Sequence, residues 1–439
     1  MIWRILCVSF LHFMCVFGCD VEMKLTGREV PVPQDNHNNF VYYAHIGMGT
    51  PAQPFRVTFD TGSVDLILIN KEFSNIAQSQ YQPNTFDYRQ SSTYEPLNID
   101  GDPNFKTEYG RGMRSGKLAL DVMTIGDGNQ KIQVKTMFGL ADEIEEYNAE
   151  ESDAVFGLGF TMGSHLKNPI ISPLETIISQ AEVCGAVSYF AERIVEDRSV
   201  RDYFASHSGE LYFGGFNKKY VDEQHPIITA KVKPKKRMDS MFFTAWDIQM
   251  EGMYVGDEKL GYFTQLLPDS GTSRIGIPEQ LLEQLTQLIF KENRGSFPAD
   301  ILTRKNVYPC RLLPDNLPDL SFKIIDKNGR LQNLVLQPKD YIFSIEKDLL
   351  CHSRFNEVVE AESQKIDEGD GQKKILLGLP FFQKYYTSFD FQNKEVSFAV
   401  AKQEKVTVPI QPGLAGKQAY ANLHPMNKKQ FDEMYGSSF

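Results

Sequence analysis

Two short segments of the sequence place an aspartate in the same chemical setting, a turn that follows a strand-like run. Each contains an aspartate, a hydroxyl residue, a glycine and a second hydroxyl residue, and the second copy begins 209 residues after the first. That separation is about the length of one compact domain, so the pair predicts a site where two similar domains meet. The first copy is Asp60, Thr61, Gly62 and Ser63, and the second is Asp269, Ser270, Gly271 and Thr272.

Paired carboxylates suit acid–base chemistry because two of them held close together cannot both ionise. The protonated one serves as an acid and the ionised one as a base, so a water between them is activated without a metal or a covalent intermediate. The glycines let each turn tighten and let N–H groups approach the carboxylates. The four hydroxyl side chains are expected to hold the turns rigid through hydrogen bonds.

A second matching feature follows each aspartate and extends the internal repeat. Either four-residue segment alone is typical of an ordinary turn. An apolar run ending in glycine follows both copies, however. Gly157 lies 97 residues after Asp60, and Gly378 lies 109 residues after Asp269. Such a run predicts a buried strand that passes close to another backbone.

Together these motifs resemble those of the pepsin/cathepsin D-type aspartic proteases. The resemblance extends from about residue 39 to about residue 401. It implies a mostly β, bilobal pepsin-like fold, in which two β-barrel-like lobes are related by a pseudo-twofold axis and the active-site cleft lies between them. It also implies that Asp60 and Asp269 hydrolyse peptide bonds. The matching segments are 46–51, 59–63, 109–116, 269–273 and 378–386.

The resemblance further implies a flap, a hairpin over the cleft, that carries Tyr109, Gly110 and Arg111. Tyr109 and Gly110 are expected to close over an extended substrate, exclude water and supply backbone hydrogen bonds. Arg111 stands where the family usually has a small hydroxyl residue, and it either points into solvent or pairs with a carboxylate of the substrate. The family commonly has a disulfide at the positions of Cys310 and Cys351.

Three other positions depart from the family pattern without removing a catalytic group. Ile67 replaces the tryptophan that usually hydrogen-bonds the flap tyrosine, so Tyr109 is expected to be less firmly oriented. Ala154 replaces a glycine, and Leu379 stands where many acid-active members have an acidic residue.

Composition favours a folded, mostly β protein. The 439 residues include 57 acidic side chains against 46 Lys and Arg, and the net charge of −11 argues against nucleic-acid binding. Many short alternating runs punctuated by Gly and Pro predict strands, whereas residues 278–290 carry the best helical pattern. The eight histidines form no metal-spaced pair and no Gly-rich phosphate loop opens a helix, so neither a metal nor another cofactor is expected.

The N-terminus predicts export. Residues 1–18 combine Arg4 with an apolar run that is shorter than a membrane-spanning helix needs, as in a secretory signal. No later run is long enough to span, so no membrane anchor is expected. The protein is predicted to be secreted or to reside in an endolysosomal or vacuolar lumen. Cys19 and Cys184 either pair with each other or leave Cys184 as a buried thiol, and the second alternative is favoured.

The predicted organisation has five parts: a signal at 1–18, a short segment at 19–38, an N-terminal lobe at 39–216, a C-terminal lobe at 217–403 and a tail at 404–439. The N-terminal lobe contains the first aspartate and the flap. Residues 22–25 are either a prosegment remnant or an opening strand. An acidic stretch at 142–153 and a basic one at 231–237 are interpreted as solvated loops, the alternative being that they steer substrates or contact each other.

The predicted function is that of a monomeric endopeptidase acting on proteins or peptides. A catalytically weak homologue that binds peptides or a partner protein is the alternative, supported by Ile67 and Arg111. The intact aspartates Asp60 and Asp269 oppose it, because a binding protein needs neither. A carboxylate-pair glycosidase would fit two acids but does not fit the duplicated turn with its flap.

Overall fold

Strands dominate the computed structural model. It describes residues 21–31, 38–73, 83–99, 101–108, 113–126, 131–145, 152–164, 166, 170–181, 183, 185–192, 209–237, 240–261, 263–290, 308–309, 313, 316–345, 350–358 and 373–403. These residues form 27 strands and four α-helices. The predicted mostly β, bilobal pepsin-like fold is confirmed.

The strands of the first half carry the first aspartate. They are β1 (Val21–Pro31), β2 (Asn38–Met48), β3 (Gln53–Asp60), β4 (Ile67–Ile69), β5 (Glu95–Pro96), β6 (Asn104–Glu108), β7 (Met113–Ile125), β8 (Ile132–Glu145), β9 (Ala154–Gly157), β10 (Ala186–Ala191) and β11 (Gly209–Phe213).

The second half begins near β12 and carries the second aspartate. Its strands are β12 (Ile228–Lys231), β13 (Lys235–Arg237), β14 (Ser240–Phe242), β15 (Ile248–Val255), β16 (Glu258–Leu260), β17 (Phe263–Pro268), β18 (Ile275–Pro278), β19 (Tyr308–Pro309), β20 (Leu320–Ile325), β21 (Leu331–Leu336), β22 (Ile342–Ile345), β23 (Leu350–Ser353), β24 (Phe355–Val358), β25 (Lys373–Leu377), β26 (Tyr385–Asp390) and β27 (Glu395–Val400).

Four helices lie between these strands: α1 (Pro173–Gln180), α2 (Glu279–Ile289), α3 (Pro338–Tyr341) and α4 (Leu379–Phe382). Helix α2 matches the helical pattern predicted for residues 278–290, and Pro278 is its N-cap. Leu282, Leu285 and Ile289 are buried, as the 3.6-residue period requires. No helix among the described segments is both apolar enough and long enough to cross a bilayer.

Each aspartate sits at the end of a strand that has a parallel neighbour. In the first half β3 pairs with β9, and Asp60 lies opposite Gly157. In the second half β17 pairs with β25, and Pro268 lies opposite Leu377. Phe55, Val57 and Phe59 alternate with more exposed residues along β3, so one face of that strand packs into the core while Asp60 lies on the other face. The two halves therefore present their aspartates from equivalent strand ends.

One antiparallel sheet draws strands from both halves, in the order β12, β27, β26, β10, β11 and β1. Strand β1 pairs with β11 through Val21 to Leu25 and with β2 through Thr26 to Pro31. Residues 22–25 lie in this strand. Because the sheet is hydrogen-bonded throughout, it joins the chain before and after residue 216 into one framework.

A buried aromatic cluster also connects the halves. The Trp246 side chain is fully buried and donates its indole N–H to the carbonyl of Leu158 at 2.9 Å. The Phe160 and Trp246 ring centroids are 4.3 Å apart. A Cβ on Gly163 would overlap the backbone carbonyl of Thr244, so only glycine permits this approach. This contact fixes the segment just after Gly157 against the second half.

The charged stretches are not simply solvated loops. Asp153 of the acidic stretch is buried and accepts hydrogen bonds from the Arg56 N–H at 2.6 Å and the Asn84 N–H at 2.8 Å. The prediction that Asp153 belongs to a solvated loop is therefore wrong, because backbone donors give the buried carboxylate its partners. In the basic stretch, Lys231 pairs with Glu395 at 2.7 Å.

Several predictions fall on residues outside the described ranges. They are the signal at 1–18, Cys19, Cys184, Cys310, the flap residues Tyr109, Gly110 and Arg111, and the tail at 404–439. Cys351, in β23, is buried and disulfide-bonded. Its pairing with Cys310 stays a prediction.

Replacing the buried indole tests the aromatic connection. Trp246→Phe leaves the Leu158 carbonyl without its donor and opens a small void, so the free energy of unfolding should fall by about 1–3 kcal/mol. Urea denaturation followed by circular dichroism measures this. Tyr254→Phe removes a hydrogen bond to Glu251 at the surface and should cost less than about 0.5 kcal/mol. Equal losses in the two variants would contradict the buried role of Trp246.

Candidate active site

The two turns bring Asp60 and Asp269 face to face. Asp60 is the last residue of β3, and Asp269 follows the last residue of β17 directly. A Cβ built on Gly62 would lie 2.6 Å from the carboxyl carbon of Asp269, and one on Gly271 would overlap the carboxyl group of Asp60. Each glycine therefore leaves the space that the opposite carboxyl group occupies, so any side chain at either position would push the carboxyl groups apart.

Reciprocal hydrogen bonds lock the two turns together. The Thr61 N–H donates to the Ser270 hydroxyl oxygen at 3.0 Å, and the Ser270 N–H donates to the Thr61 hydroxyl oxygen at 3.0 Å. The Thr61 hydroxyl then donates to the Pro268 carbonyl at 2.8 Å. The Ser270 hydroxyl donates to the Phe59 carbonyl at 2.7 Å. Thr61 is 1% exposed and Ser270 is 2% exposed, so water does not compete for these bonds.

The carboxyl groups receive unequal support from their own turns. The Gly62 N–H donates to Asp60 Oδ1 at 2.7 Å, and the Gly271 N–H donates to Asp269 Oδ1 at 3.0 Å. The Thr272 hydroxyl donates to Asp269 Oδ2 at 2.6 Å. The Ser63 hydroxyl, which holds the matching place in the first turn, is buried and has no hydrogen-bond partner in the described structure. The expected support from four hydroxyls is thus seen for three.

The pair favours a retained proton on Asp269. Burial raises the pKa of the Asp269 carboxyl well above its ordinary value, and the negative charge of Asp60 raises it further. The hydrogen bonds from Thr272 and Gly271 oppose this rise without cancelling it. One carboxyl group protonated and its neighbour ionised is the state that acid–base hydrolysis requires.

The apolar run around Gly157 or Gly378 forms backbone hydrogen bonds with the aspartate of its own half. The Leu158 N–H donates to the Asp60 carbonyl at 2.8 Å, and the Asp269 N–H donates to the Leu377 carbonyl at 3.0 Å. A Cβ on Gly157 would overlap the backbone of Val64. A Cβ on Gly378 would likewise meet the backbone of residues 272 and 274. These close approaches explain why an apolar run ends in glycine after each aspartate.

The predicted flap residues Tyr109, Gly110 and Arg111 lie outside the described part of the chain, but the strands on either side of them are described. Strands β6 and β7 pair antiparallel as far as Glu108 opposite Met113. Ile67 is fully buried in β4 and offers no side-chain donor. Leu379 is buried at the start of α4. No group of three or more His, Cys, Asp or Glu side chains arranged as a metal site occurs within the described ranges.

Two buried polar side chains near the site were missed by the sequence analysis. Asp65, five residues after Asp60, is 5% exposed and accepts a hydrogen bond from the Ser164 hydroxyl at 2.8 Å. Tyr189, in β10, is buried, and its hydroxyl has no hydrogen-bond partner among the described residues. Burial raises its pKa, and the charges of Tyr42 and Asp60 add to the rise. The one available signal for Asp65 was a charged residue between Val64 and Leu66.

Comparison with known proteins agrees with this geometry. A family model described as eukaryotic aspartyl protease matches residues 41–401. The chain is 27% identical to renin of Rattus norvegicus over 87% of this chain and 84% of the relative. It is 29% identical to vacuolar protease A of Neurospora crassa, covering 89% and 86% of the two chains. It is 28% identical to gastricsin of Cavia porcellus, covering 82% and 80%.

Asp269→Asn should change the pH dependence of stability in a defined direction. The folded-state pKa of Asp269 lies above its unfolded value, so wild-type stability falls as the pH rises from the unfolded pKa through the folded pKa. The amide does not ionise, so the variant does not lose this stability. Its free energy of unfolding relative to that of wild type should therefore rise by about 1.4 kcal/mol for each pH unit in that window.

Urea denaturation between pH 3.5 and 8 measures this difference. Asp257→Asn, at an exposed site, serves as the control and should show no such trend. A stability difference between Asp269→Asn and wild type that stays constant with pH would contradict the raised pKa.

Proposed function

The chain belongs to the eukaryotic aspartyl protease family, and on that basis we propose that it is an aspartic endopeptidase. The observation that carries the proposal is that each carboxyl group lies against the glycine of the opposite turn, and that the two turns bond to each other. Two rigid, inequivalent carboxyl groups are what metal-free hydrolysis of an amide needs.

In the proposed reaction, Asp60 is the base and Asp269 is the acid. Water adds to the carbonyl carbon of the scissile bond while Asp60 takes a proton from it and Asp269 gives its proton to the carbonyl oxygen. The resulting diol lies between the two carboxyl groups. Collapse of the diol breaks the carbon–nitrogen bond as a proton passes from Asp60 to the leaving nitrogen and the diol returns one to Asp269. The dyad thus ends in its starting state.

The proposed substrate is a protein or peptide in an extended conformation. The paired strands β6 and β7 lead to the flap, and we assign Tyr109 and Gly110 to closure over the substrate. Backbone hydrogen bonds from such a flap suit an extended chain of any sequence. Side chains near the cleft then set the preference, and Arg111 is either one of these or a solvated tip residue.

A catalytically weak, peptide-binding homologue is the second candidate, and one observation favours it. Ile67 is fully buried and aliphatic, so it offers the flap tyrosine no hydrogen bond. A less oriented flap binds substrate with a larger entropy cost but leaves the carboxyl pair intact. The two candidates therefore differ in one measurable way: the first cleaves the peptides that it binds, and the second binds them without cleaving them.

The proposal extends to the compartment of the protein, its oligomeric state and its disulfide. The signal-like residues 1–18 support export, and two relatives carry the names vacuolar protease A and vacuolar aspartic protease. We place the protein in a secretory or vacuolar lumen, as a monomer, with Cys310 and Cys351 joined. The buried, disulfide-bonded state of Cys351 supports an oxidising compartment.

Asp60→Asn and Asp269→Asn should each lower kcat/KM for peptide cleavage by at least about 10²-fold, because one carboxyl group cannot be both acid and base. A peptide-library digest of the purified protein from acidic to neutral pH measures this, with pepstatin as inhibitor. Asp257→Asn, at an exposed site, should cleave as wild type does. Wild-type binding of peptides without cleavage at any pH would favour the second candidate, and cleavage retained in either folded dyad variant would contradict the mechanism.

A further inference from the structure

Asp65 is a buried carboxyl group five residues after the first aspartate, and the proposed reaction does not use it. It is 5% exposed and lies between Val64 and Leu66, which are both buried. Its side chain has one hydrogen-bond partner in the described structure, the Ser164 hydroxyl. Among the described residues no cation pairs with it. A carboxyl group in such a place needs an explanation, because burial penalises its charged form.

The segment that Asp65 contacts is the one that supports the Asp60 turn. Three consecutive N–H groups, those of residues 157, 158 and 159, donate to three carbonyls of the turn. Gly157 donates to Asp65 at 3.3 Å, residue 158 donates to Asp60 at 2.8 Å, and residue 159 donates to Ser63 at 2.9 Å. These bonds hold the backbone that aims the Asp60 carboxylate.

The Asp65–Ser164 bond fastens the far end of that segment. The Ser164 hydroxyl donates to Asp65 Oδ1 at 2.8 Å and accepts from the Leu166 N–H at 3.2 Å. Residues 157–164 are thereby bonded to the turn at both ends, at one end through backbone groups and at the other through Asp65. Movement of residues 157–164 away from the turn would break both the Asp65–Ser164 bond and the backbone bonds from residues 157 to 159.

At the matching place in the second half, the described residues show a different side chain. The residue that stands five places after Asp269 is Arg274, which is partly exposed and reaches the Phe355 carbonyl at 3.5 Å. An arginine remains charged at every working pH, whereas a carboxyl group titrates. Of these two matching places, only the one beside Asp60 holds a side chain whose charge changes with pH.

The charge state of Asp65 depends on pH within the range of acidic compartments. Burial raises its pKa to about 6, and the bond from Ser164 opposes that rise. The charged residues on the neighbouring elements are Arg56 and Asp60 on β3, Asp153 just before β9, and Glu175 on α1. None of them hydrogen-bonds to Asp65, and His165 lies outside the described residues. Ionisation thus leaves a buried negative charge whose one hydrogen-bond donor in the described structure is Ser164, and it favours conformations in which water reaches Asp65.

We propose that Asp65 is a positioning residue that, in its protonated state, ties the Asp60 turn to residues 157–164 through Ser164, and whose ionisation loosens the turn and lowers peptide cleavage towards neutral pH. The inference rests on the proposed protease function. It makes Asp65 a reason for an acidic working range that is separate from the titration of the catalytic pair.

Asp65→Asn is the decisive variant because it keeps the shape and the acceptor for Ser164 but does not ionise. The folded pKa of Asp65 lies above its unfolded value, so wild type loses this stability between about pH 4 and about pH 6. The melting temperature of Asp65→Asn should equal that of wild type at pH 4 and exceed it by several degrees at pH 7.5. Its kcat/KM relative to wild type should rise about tenfold between pH 4.5 and pH 7.5.

Ser164→Ala is a second variant, and its effect on the pH dependence of the melting temperature should be opposite to that of Asp65→Asn. Loss of its hydroxyl removes the bond that favours the charged form, so its melting temperature should fall more steeply with pH than that of wild type. Asp257→Asn, at the surface, should follow wild type in melting and in cleavage.

Three results overturn the proposal or its basis in distinguishable ways. Melting curves of Asp65→Asn that stay parallel to wild type across pH would show that Asp65 does not titrate as a buried group. Shifted melting with superimposable pH–rate profiles would make Asp65 structural only and would refute positioning. A wild type that cleaves no peptide at any pH, while the melting shifts appear, would refute the protease function instead.

Discussion

The reciprocal bonds between Thr61 and Ser270 are the constraint on which the rest of the site depends. Each hydroxyl accepts an N–H from the opposite turn and donates to a carbonyl of the opposite half. Loss of either hydroxyl would leave two buried backbone groups unpaired, at about 1–3 kcal/mol each. This lock holds the two carboxyl groups close together, and their closeness helps the pair to retain a proton. The groups that form this lock are uncharged and do not themselves titrate.

Symmetry in the backbone coexists with asymmetry in the side chains, and the asymmetry separates the two roles. Asp269 is almost fully buried and receives the Thr272 hydroxyl, whereas the Ser63 hydroxyl makes no matching bond to Asp60. Burial next to an existing negative charge favours the neutral acid on the Asp269 side. A duplicated scaffold thus gives one acid and one base because the surroundings of its two halves differ.

The sequence predicted what is local and repeated, and it missed what depends on distant contacts. Strand, turn and glycine after each aspartate follow from short patterns, as does helix α2 with its buried leucines. The burial of Asp153 and Asp65 could not be predicted from short patterns, because their hydrogen-bond partners are distant in sequence. Asn84 lies 69 residues from Asp153, and Ser164 lies 99 residues from Asp65. A charged residue predicts solvent exposure unless the fold brings a donor to it. The pairing of β1 with β11 was likewise hidden in the separation along the chain.

The protonation of the carboxyl pair is the most direct test of this account. Carbon-13 NMR of the aspartate carboxyl carbons, assigned with Asp60→Asn and Asp269→Asn, follows each group from pH 2 to pH 9. The account predicts two well-separated steps, with the second proton retained by the pair well after the first has been lost. A single step in which Asp60 and Asp269 both lose their protons near the ordinary value of about 3.9 would contradict it.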